Sequence, residues 1–400
     1  KTYGEGLNLN SEKDNLFQDF IEKGFPSIKD EEWKYTSLRK LVKNNFKIED
    51  DATNILEKEI NNYSLNFENR ILFVNGNLIS KPSIKGVTIS DFSENNISND
   101  SAMESLNSSL ANKGFTISVK KNIVVKNPIE ILFFTKCETD SFQQYRNQIT
   151  IGGNSEIKIV ERIQNISDSS CFVNNFTQIK VAKNSNIEYN KIQNNTDNSA
   201  LIDTLNIFQE SDSNCKVNTL IFGGQFTRNN LNFEQNGSNC DSFMNGISIL
   251  DYNQFADNHT FVDHKKADCR SNEMYKGIYL GNSKGVFNGK IMVRPDAQKI
   301  DAFQSNNNLL LSDHSTIDSK PQLEIYADDV KCSHGCTIGQ LDEDAMFYMR
   351  SRGIPQKEAK AVLTFAFASE ALENITISQV KERASKLIAS KLNVDLNFNL

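Results

Sequence analysis

Gly153-Asn154-Ser155-Glu156-Ile157-Lys158-Ile159 is a polar turn followed by an alternating strand, and the same phrase returns along the middle of the chain. Its further copies are Lys183-Asn184-Ser185-Asn186-Ile187-Glu188-Tyr189, Asp212-Ser213-Asn214-Cys215-Lys216-Val217 and Gly237-Ser238-Asn239-Cys240-Asp241-Ser242-Phe243. Alignment of Ile157, Ile187, Cys215 and Cys240 gives steps of 30, 28 and 25 residues. A recurrent period of this length is typical of stacked repeats. Because such units bury their apolar faces only by stacking, the sequence predicts a β-solenoid.

The regions on either side of the repeats have a different hydrophobic pattern. We expect a mainly β protein with three parts: an N-terminal helical and mixed region over residues 1–112, a parallel β-helix core over 113–335, and a C-terminal helical domain over 336–400. In the third part, apolar residues recur at helical spacing in three successive stripes. Inward-facing Cys215 and Cys240 are expected to fill a narrow core rather than to do chemistry.

Two short motifs predict a turn in the N-terminal region and a helix start in the C-terminal region. The Asn75-Gly76 pair follows an apolar run and predicts a hairpin turn. Thr376 and Gln379 have the spacing of a capping box and predict the start of the third C-terminal helix.

The most reactive residue types gather in Lys331-Cys332-Ser333-His334-Gly335-Cys336. In an extended segment alternate side chains share a face, so Cys332, His334 and Cys336 are expected to project the same way. Soft ligands so close together are typical of metal or sulfur chemistry. A structural zinc site would need a fourth ligand, and the chain has no CxxC pair. The alternative is that the cysteines are simply buried at a strand end.

Two other motifs partly match a metal site and a phosphate-binding loop, but their spacing argues against both. His259 and His264 would point to opposite faces of a strand, so we expect surface or turn histidines rather than a metal site. Gly285-Val286-Phe287-Asn288-Gly289-Lys290-Ile291 is one residue too short for a phosphate loop and has Ile where a magnesium-binding Ser or Thr belongs. This chain is therefore not expected to hydrolyse ATP.

Composition and charge limit which classes of binding partner and which cell compartment we expect. The net charge is -7 and the pI about 5.4, which gives no electrostatic reason to expect nucleic acid or an anionic membrane. No apolar run approaches the roughly 20 residues of a membrane span, and the first residues lack a signal-peptide pattern. Seven cysteines, an odd number, do not form a disulfide framework. A cytoplasmic protein is expected.

Several stretches together resemble the SufB/SufD family, the scaffold subunits of the Suf iron-sulfur cluster assembly system. They are residues 32–38, 294–302, 304–311, 331–340 and 341–355. The resemblance covers most of the chain and is weakest over about 48–115. SufB carries His-Glu-Ala-Thr where this chain has His334-Gly335-Cys336-Thr337. The resemblance is therefore closer to SufD than to SufB.

The resemblance implies a right-handed parallel β-helix and a non-enzymatic scaffold. It implies pairing with SufB through the β-helix and docking of the SufC ATPase on the C-terminal helices, and it leaves both a homodimer and a monomer open for the isolated chain. A nascent, transient iron-sulfur cluster shared with SufB is implied at His334 and Cys332. Cys336 is a departure from the family pattern, either an added ligand or a space-filling residue. ATP would enter only through SufC, and sulfur indirectly from a cysteine desulfurase. The sequence leaves open whether a reduced flavin binds the full assembly.

His334 is the stronger candidate for a transient ligand. Thiolates are the ordinary ligands of iron-sulfur clusters, whereas a neutral imidazole binds iron less tightly and suits a site that must release its product. The alternative function is a carbohydrate-active or carbohydrate-binding β-solenoid, because pectate lyase-like enzymes share this architecture. Fold alone does not decide between the two.

Overall fold

The computed structural model describes residues 10–47, 55–92 and 100–393. Within these ranges the chain forms a parallel β-solenoid of about 8 turns, with helices near both ends. Each full turn contributes one strand to each of two sheets. Sheet one contains β1 (Asn69–Val74), β2 (Asn77–Ser80), β5 (Ile129–Thr135), β7 (Glu156–Asn165), β9 (Asn186–Gln193), β11 (Asn214–Ile221), β13 (Asp241–Leu250), β15 (Arg270–Tyr279), β17 (Ile300–Leu310) and β19 (Val330–Gly339). Sheet two contains β3 (Val87–Asp91), β4 (Phe115–Val119), β6 (Ser141–Ile151), β8 (Cys171–Val181), β10 (Ser199–Gln209), β12 (Phe226–Gln235), β14 (Phe255–His264), β16 (Lys284–Val293) and β18 (Thr316–Ile325).

The strand register confirms the predicted repeat in its first two steps and corrects the third. Ile157 pairs with Ile187 and Ile187 with Cys215. Cys215 then pairs with Ser242, so the third step is 27 residues and Cys240 precedes the strand β13. The turns share one left-handed residue at the same place, which asparagine and aspartate tolerate better than other side chains. These residues are Asn154, Asn184, Asp212 and Asn239, with φ values of 57°, 56°, 62° and 59°.

The inside of the solenoid is apolar near its N-terminal end and contains a buried charged cluster beside it. Cys215 and Cys240 are both fully buried, as predicted.

The buried charged cluster consists of an ion pair and a neighbouring carboxyl group. Lys191 Nζ lies 2.8 Å from Asp203 Oδ2, and Tyr189 donates to Glu161 Oε2 at 2.8 Å. Burial, and then the neighbouring Asp203, raise the pKa of Glu161 to about 7.

Lys191→Met is expected to lower the free energy of unfolding by about 3–5 kcal/mol, because it leaves Asp203 as a buried charge without its ion-pair partner. Urea unfolding at neutral pH measures the loss. Lys180→Met, at an exposed position of β8, is the matched control and is expected to change stability by less than about 0.5 kcal/mol. Equal losses for the two variants would contradict this account.

The two histidines of β14 do lie on opposite faces, but the expected surface location is wrong for one of them. His264 is fully buried inside the solenoid, where its Nε2 lies 3.0 Å from Ser271 Oγ. Burial lowers the pKa of His264 to about 4, against the opposing effect of Asp263. His259 is on the outer face, between Glu32 and Asp257.

This buried imidazole predicts a pH dependence of stability. Below its ordinary pKa of 6.5, His264 binds a proton in the unfolded chain but stays neutral in the folded one. Stability is therefore lost as the pH falls from about 6.5 to 4, by about 3 kcal/mol from this residue. His264→Gln removes the titrating group, so the difference in unfolding free energy between variant and wild type is expected to shift by that amount in favour of the variant. Urea unfolding at pH 7 and pH 4 measures it, and a constant difference would contradict the prediction.

The N-terminal region covers parts of both sheets. Its helices in the described residues are α1 (Ser11–Lys23), α2 (Glu57–Tyr63) and α3 (Ala102–Leu110). Helices α1 and α3 pack on β8 and β10 of sheet two, whereas α2 packs on β1 and β5 of sheet one.

The segment 32–38 attaches to the solenoid at several points. The Arg228 guanidinium lies 3.8 Å from the centre of the Trp33 ring, the Thr36 hydroxyl donates to Asp257, and Glu32 Oε2 lies 3.3 Å from His259 Nδ1. Arg228 also pairs with Asp257 at 2.6 Å. This segment is therefore held by buried charges of the solenoid.

The predicted hairpin is confirmed. β1 and β2 pair antiparallel with Val74 opposite Asn77. Asn75 and Gly76 form the turn with φ values of 46° and 85°, the left-handed conformations that a two-residue hairpin loop requires.

Three helices follow the last strand: α4 (Glu343–Ser351), α5 (Gln356–Ser369) and α6 (Ser378–Leu392). Helices α5 and α6 pack on each other and also on the outer face of sheet one, with which they share an apolar core. Its fully buried members include Val160, Ile192, Leu220, Phe222, Ile278, Ala368, Val380, Ala384 and Ile388. None of the helices in the described part of the chain combines the length and hydropathy that a bilayer crossing requires.

The predicted capping box of α6 is wrong. Thr376 lies two residues before the first helical residue, and its N–H and hydroxyl both donate to the carboxylate of Glu188 on β9. A carboxylate accepts more strongly than a neutral side chain. Thr376 therefore ties the helix to the solenoid instead of capping it.

Candidate functional site

The strand β19 forms the edge of sheet one, on the last turn of the solenoid. It pairs with β17 so that Cys332 lies beside Ala302, His334 beside Gln304, and Cys336 beside Asn306. These three β17 residues are buried. The three candidate residues therefore continue inward-facing columns at a point where no further described turn covers them. The column through the cysteine position contains, in order, Ile157, Ile187, Cys215, Ser242, Ser271, Ala302 and Cys332.

The three side chains have different surroundings. Cys332 is half-buried against Ala302 and its apolar neighbours, and burial raises the pKa of this thiol. Cys336 is exposed, and its Sγ donates to Ser319 Oγ at 3.1 Å. His334 is exposed on the open turn. Cys332 is thus a protonated thiol in the isolated chain at neutral pH, whereas His334 and Cys336 are both accessible to a second molecule.

These three side chains do not form a complete metal site in the structure. No group of three metal-ligating side chains converges anywhere in the described residues. A site at His334 would therefore need ligands from another chain.

The last turn also has the properties of an interface. β18 and β19 are the terminal strands of their sheets, so the outward backbone groups of both pair with no other described strand. Unpaired strand edges readily pair with another chain. Large exposed apolar side chains lie on this part of the solenoid, namely Phe303, Ile325, Tyr326 and Ile338.

A second exposed apolar surface lies on α4, which has no buried residue. Phe347 is 75% exposed and Tyr348 59%. A groove between α4, α5 and the last turns is lined by Leu311, Met346, Phe347, Arg350 and Lys360, among others. Unlike α5, whose Phe365 and Phe367 are partly buried against sheet one, this helix leaves its aromatic residues open to a partner.

The comparisons with known proteins agree with this architecture. The profile of the SUF system FeS cluster assembly family, SufBD core domain, matches residues 133–367, and that of the SufBD protein N-terminal region matches 5–85. The chain belongs to the SufBD family. This membership replaces the carbohydrate-active alternative, and it places the chain in iron-sulfur cluster assembly.

Individual relatives cover nearly the whole chain. Iron-sulfur cluster assembly protein SufD of Escherichia coli is 29% identical over 97% of this chain and 94% of its own length. A SufBD family protein of Synechocystis is 27% identical over 92% and 87%. A mycobacterial SufBD family protein, from Mycobacterium leprae, is 33% identical over 44% of this chain. Similarity to SufD, expected from the stretches 32–38, 294–302, 304–311 and 331–355, therefore extends over 97% of this chain.

Some residues of the site are not recognisable in the sequence of β19. Gln304, Asn306 and Ser319 contact or flank the candidate ligands from 17 to 30 residues away along the chain. The sequence signal for Gln304 and Asn306 is the polar run in β17, where a solenoid strand would normally place apolar side chains inward. Ser319 lies on β18 and has no such signal.

Proposed function

We propose that this SufBD chain is a non-enzymatic scaffold subunit that pairs with a SufB-like protein at the last turn of its β-helix, carries a SufC-like ATPase on its C-terminal helices, and works in the cytoplasm. The observation that supports this proposal most is the position of His334, exposed on an edge strand without enough neighbouring ligands among the described residues to hold a metal alone. An incomplete ligand set at an open edge suits a site completed by a partner.

The SufB-like partner is proposed to bind the edges of β18 and β19. A strand added to an exposed edge gains backbone hydrogen bonds, and its alternate side chains gain apolar contacts. Tyr326 and Ile338 are 62% and 50% exposed there and would supply such contacts. A homodimer of the isolated chain is proposed to use the same edge, because a second copy presents the same unpaired strands.

The ATPase is proposed to bind α4 and the groove beside it. Phe347 and Tyr348 are the kind of exposed aromatic residues that carry most of the energy of an interface. ATP would act only through this subunit, since residues 285–291 of our chain lie within the extended strand β16 and not in a phosphate-binding loop. The chain itself is not proposed to bind nucleotide.

The iron-sulfur cluster is proposed to be cargo that the complex builds and releases. His334 would donate a ring nitrogen to iron, and Cys332 would follow as a thiolate once a metal lowers the pKa that burial raises. Cys336, which donates to Ser319, is proposed to fill space rather than to bind. Sulfur would come indirectly from a cysteine desulfurase, and reducing equivalents from a reduced flavin bound by the full assembly.

Co-expression tests the proposal. The tagged chain is expected to co-purify with both a SufB-like and a SufC-like protein of its own organism, and the chain alone is expected to show no ATPase activity. Capture of neither protein under conditions where both are soluble would overturn the proposed function.

A further inference from the structure

Three polar residues occupy one inward-facing column on the last three turns of sheet one. Glu273 on β15 pairs with Gln304 on β17, which pairs with His334 on β19. Glu273 and Gln304 are 1% and 0% exposed. A buried polar atom is costly unless it has a hydrogen-bond partner. Each buried donor of this column is therefore expected to form a hydrogen bond with an acceptor of a neighbouring residue in the column.

The amide nitrogen of Gln304 has a hydrogen-bond partner, but its amide oxygen has none among the described residues. Its Nε2 donates to Glu273 Oε2 at 2.7 Å. Gly289 on the other sheet leaves room for this amide, because a Cβ at position 289 would lie 2.1 Å from Gln304 Nε2. With the nitrogen directed at Glu273, the oxygen is turned away from it, and Gln304 Oε1 is buried without a hydrogen-bond partner in the described residues.

His334 is placed to be that partner. It is the next residue of the column after Gln304, and neighbouring strands are only about 4.8 Å apart. A neutral imidazole has one N–H donor and one nitrogen with a free lone pair. A hydrogen bond that holds the N–H selects one tautomer and leaves the other nitrogen to bind a metal.

We propose that Gln304, oriented by Glu273, is a positioning residue that accepts the ring N–H of His334 and so presents the opposite ring nitrogen to iron at the open end of the solenoid. This inference rests on the role of His334 in the proposed function. It gives a purpose to the glycine at 289, which the sequence shows only as part of an incomplete phosphate-loop pattern.

The tautomer of His334 is the direct test. The full chain, labelled with ¹⁵N histidine, has only four histidines, and the spectrum of His334→Ala assigns the signals of residue 334. The ring nitrogen shifts of the wild type are expected to show one dominant tautomer. In Gln304→Met, which keeps the size of the side chain without the amide, the tautomer ratio is expected to fall about fivefold, the effect of one net hydrogen bond.

Two further variants separate positioning from packing. Glu273→Gln keeps an acceptor for Gln304 Nε2 and is expected to retain the wild-type ratio, whereas Glu273→Leu releases the amide and is expected to lose it. Gln235→Met is the matched control, since this amide is also fully buried but bonds to Ser242 on earlier turns. Circular dichroism checks that each variant is folded. If Gln304→Met does not fold, Gly289→Ala is a second way to displace the Gln304 amide, because the added Cβ would lie 2.1 Å from Gln304 Nε2.

An unchanged tautomer ratio in folded Gln304→Met, or a wild-type spectrum without a dominant tautomer, would overturn the inference. The measurement needs neither partner nor cluster, so it is independent of the proposed function. If the tautomer responds as expected but iron recovery on the complex does not depend on His334, the positioning stands and the proposed role of His334 fails.

Discussion

Replacing Phe347 and Tyr348 together by alanine is expected to weaken binding of a SufC-like ATPase by at least about 100-fold. Both aromatic side chains are mostly exposed on α4, which has no buried residue, so the change removes contact area without removing core. Each exposed aromatic residue that becomes central to an interface contributes about 2 kcal/mol or more, and 1.4 kcal/mol is a tenfold change in affinity. Isothermal titration of the purified proteins measures the loss.

The matched control is the double replacement of Ile79 and Val124 by alanine. These side chains are 58% and 62% exposed, near the opposite end of the solenoid. This variant is expected to bind the ATPase as the wild type does. If Phe347→Ala/Tyr348→Ala bound with undiminished affinity, the docking surface would have to lie elsewhere, with α5, α6 or the solenoid itself as the remaining candidates.

Deletion of the helices would be a less informative experiment. A helical domain over residues 336–400 that stood apart from the core could be removed without harm to the solenoid. In the structure, however, α5 and α6 cover buried Val160, Ile192 and Phe222 of sheet one. Their removal would expose these side chains and destabilise the solenoid, so loss of binding would not identify the docking surface.

The solenoid is predictable because its signal is local and repeated. Polar turns with a left-handed Asn or Asp, followed by alternating strands, recur often enough to reveal the period. The alignment fails at the fourth repeat for an equally local reason: Asp212 and Asn214 are both residues that suit such a turn, and only the structure shows that Asp212 is the left-handed one. The correct register places Cys215 beside Ser242.

The candidate ligands are visible in the sequence, but their surroundings are not. Cys332, His334 and Cys336 stand within five residues, whereas Gln304 comes thirty residues earlier and meets His334 only through strand pairing. Long-range pairing of this kind depends on the length of each turn, which varies from one repeat to the next. Likewise, the Glu188 carboxylate that takes Thr376 away from its predicted cap lies 188 residues away.

His334→Ala is expected to leave the fold and the complex with SufB-like and SufC-like partners intact, and to lower the iron and acid-labile sulfide recovered on that complex by at least about tenfold. Loss of a residue that only supports a metal ligand already costs about 10–100-fold in metal affinity. Because His334 is exposed on the last turn, its truncation leaves no cavity in the core. Iron and sulfide are measured on the complex purified after co-expression.

Three further variants show whether the effect belongs to this position. His314→Ala removes the imidazole of another exposed histidine and is expected to have no effect. Cys332→Ser is expected to act like His334→Ala or more mildly, since a hydroxyl keeps the size of the thiol but not its affinity for soft metals. Cys336→Ser is expected to be silent, because a hydroxyl at this position can still donate to Ser319. Unchanged iron and sulfide on an intact His334→Ala complex would instead mean that the last turn of the solenoid joins the two subunits without binding the cluster that they assemble.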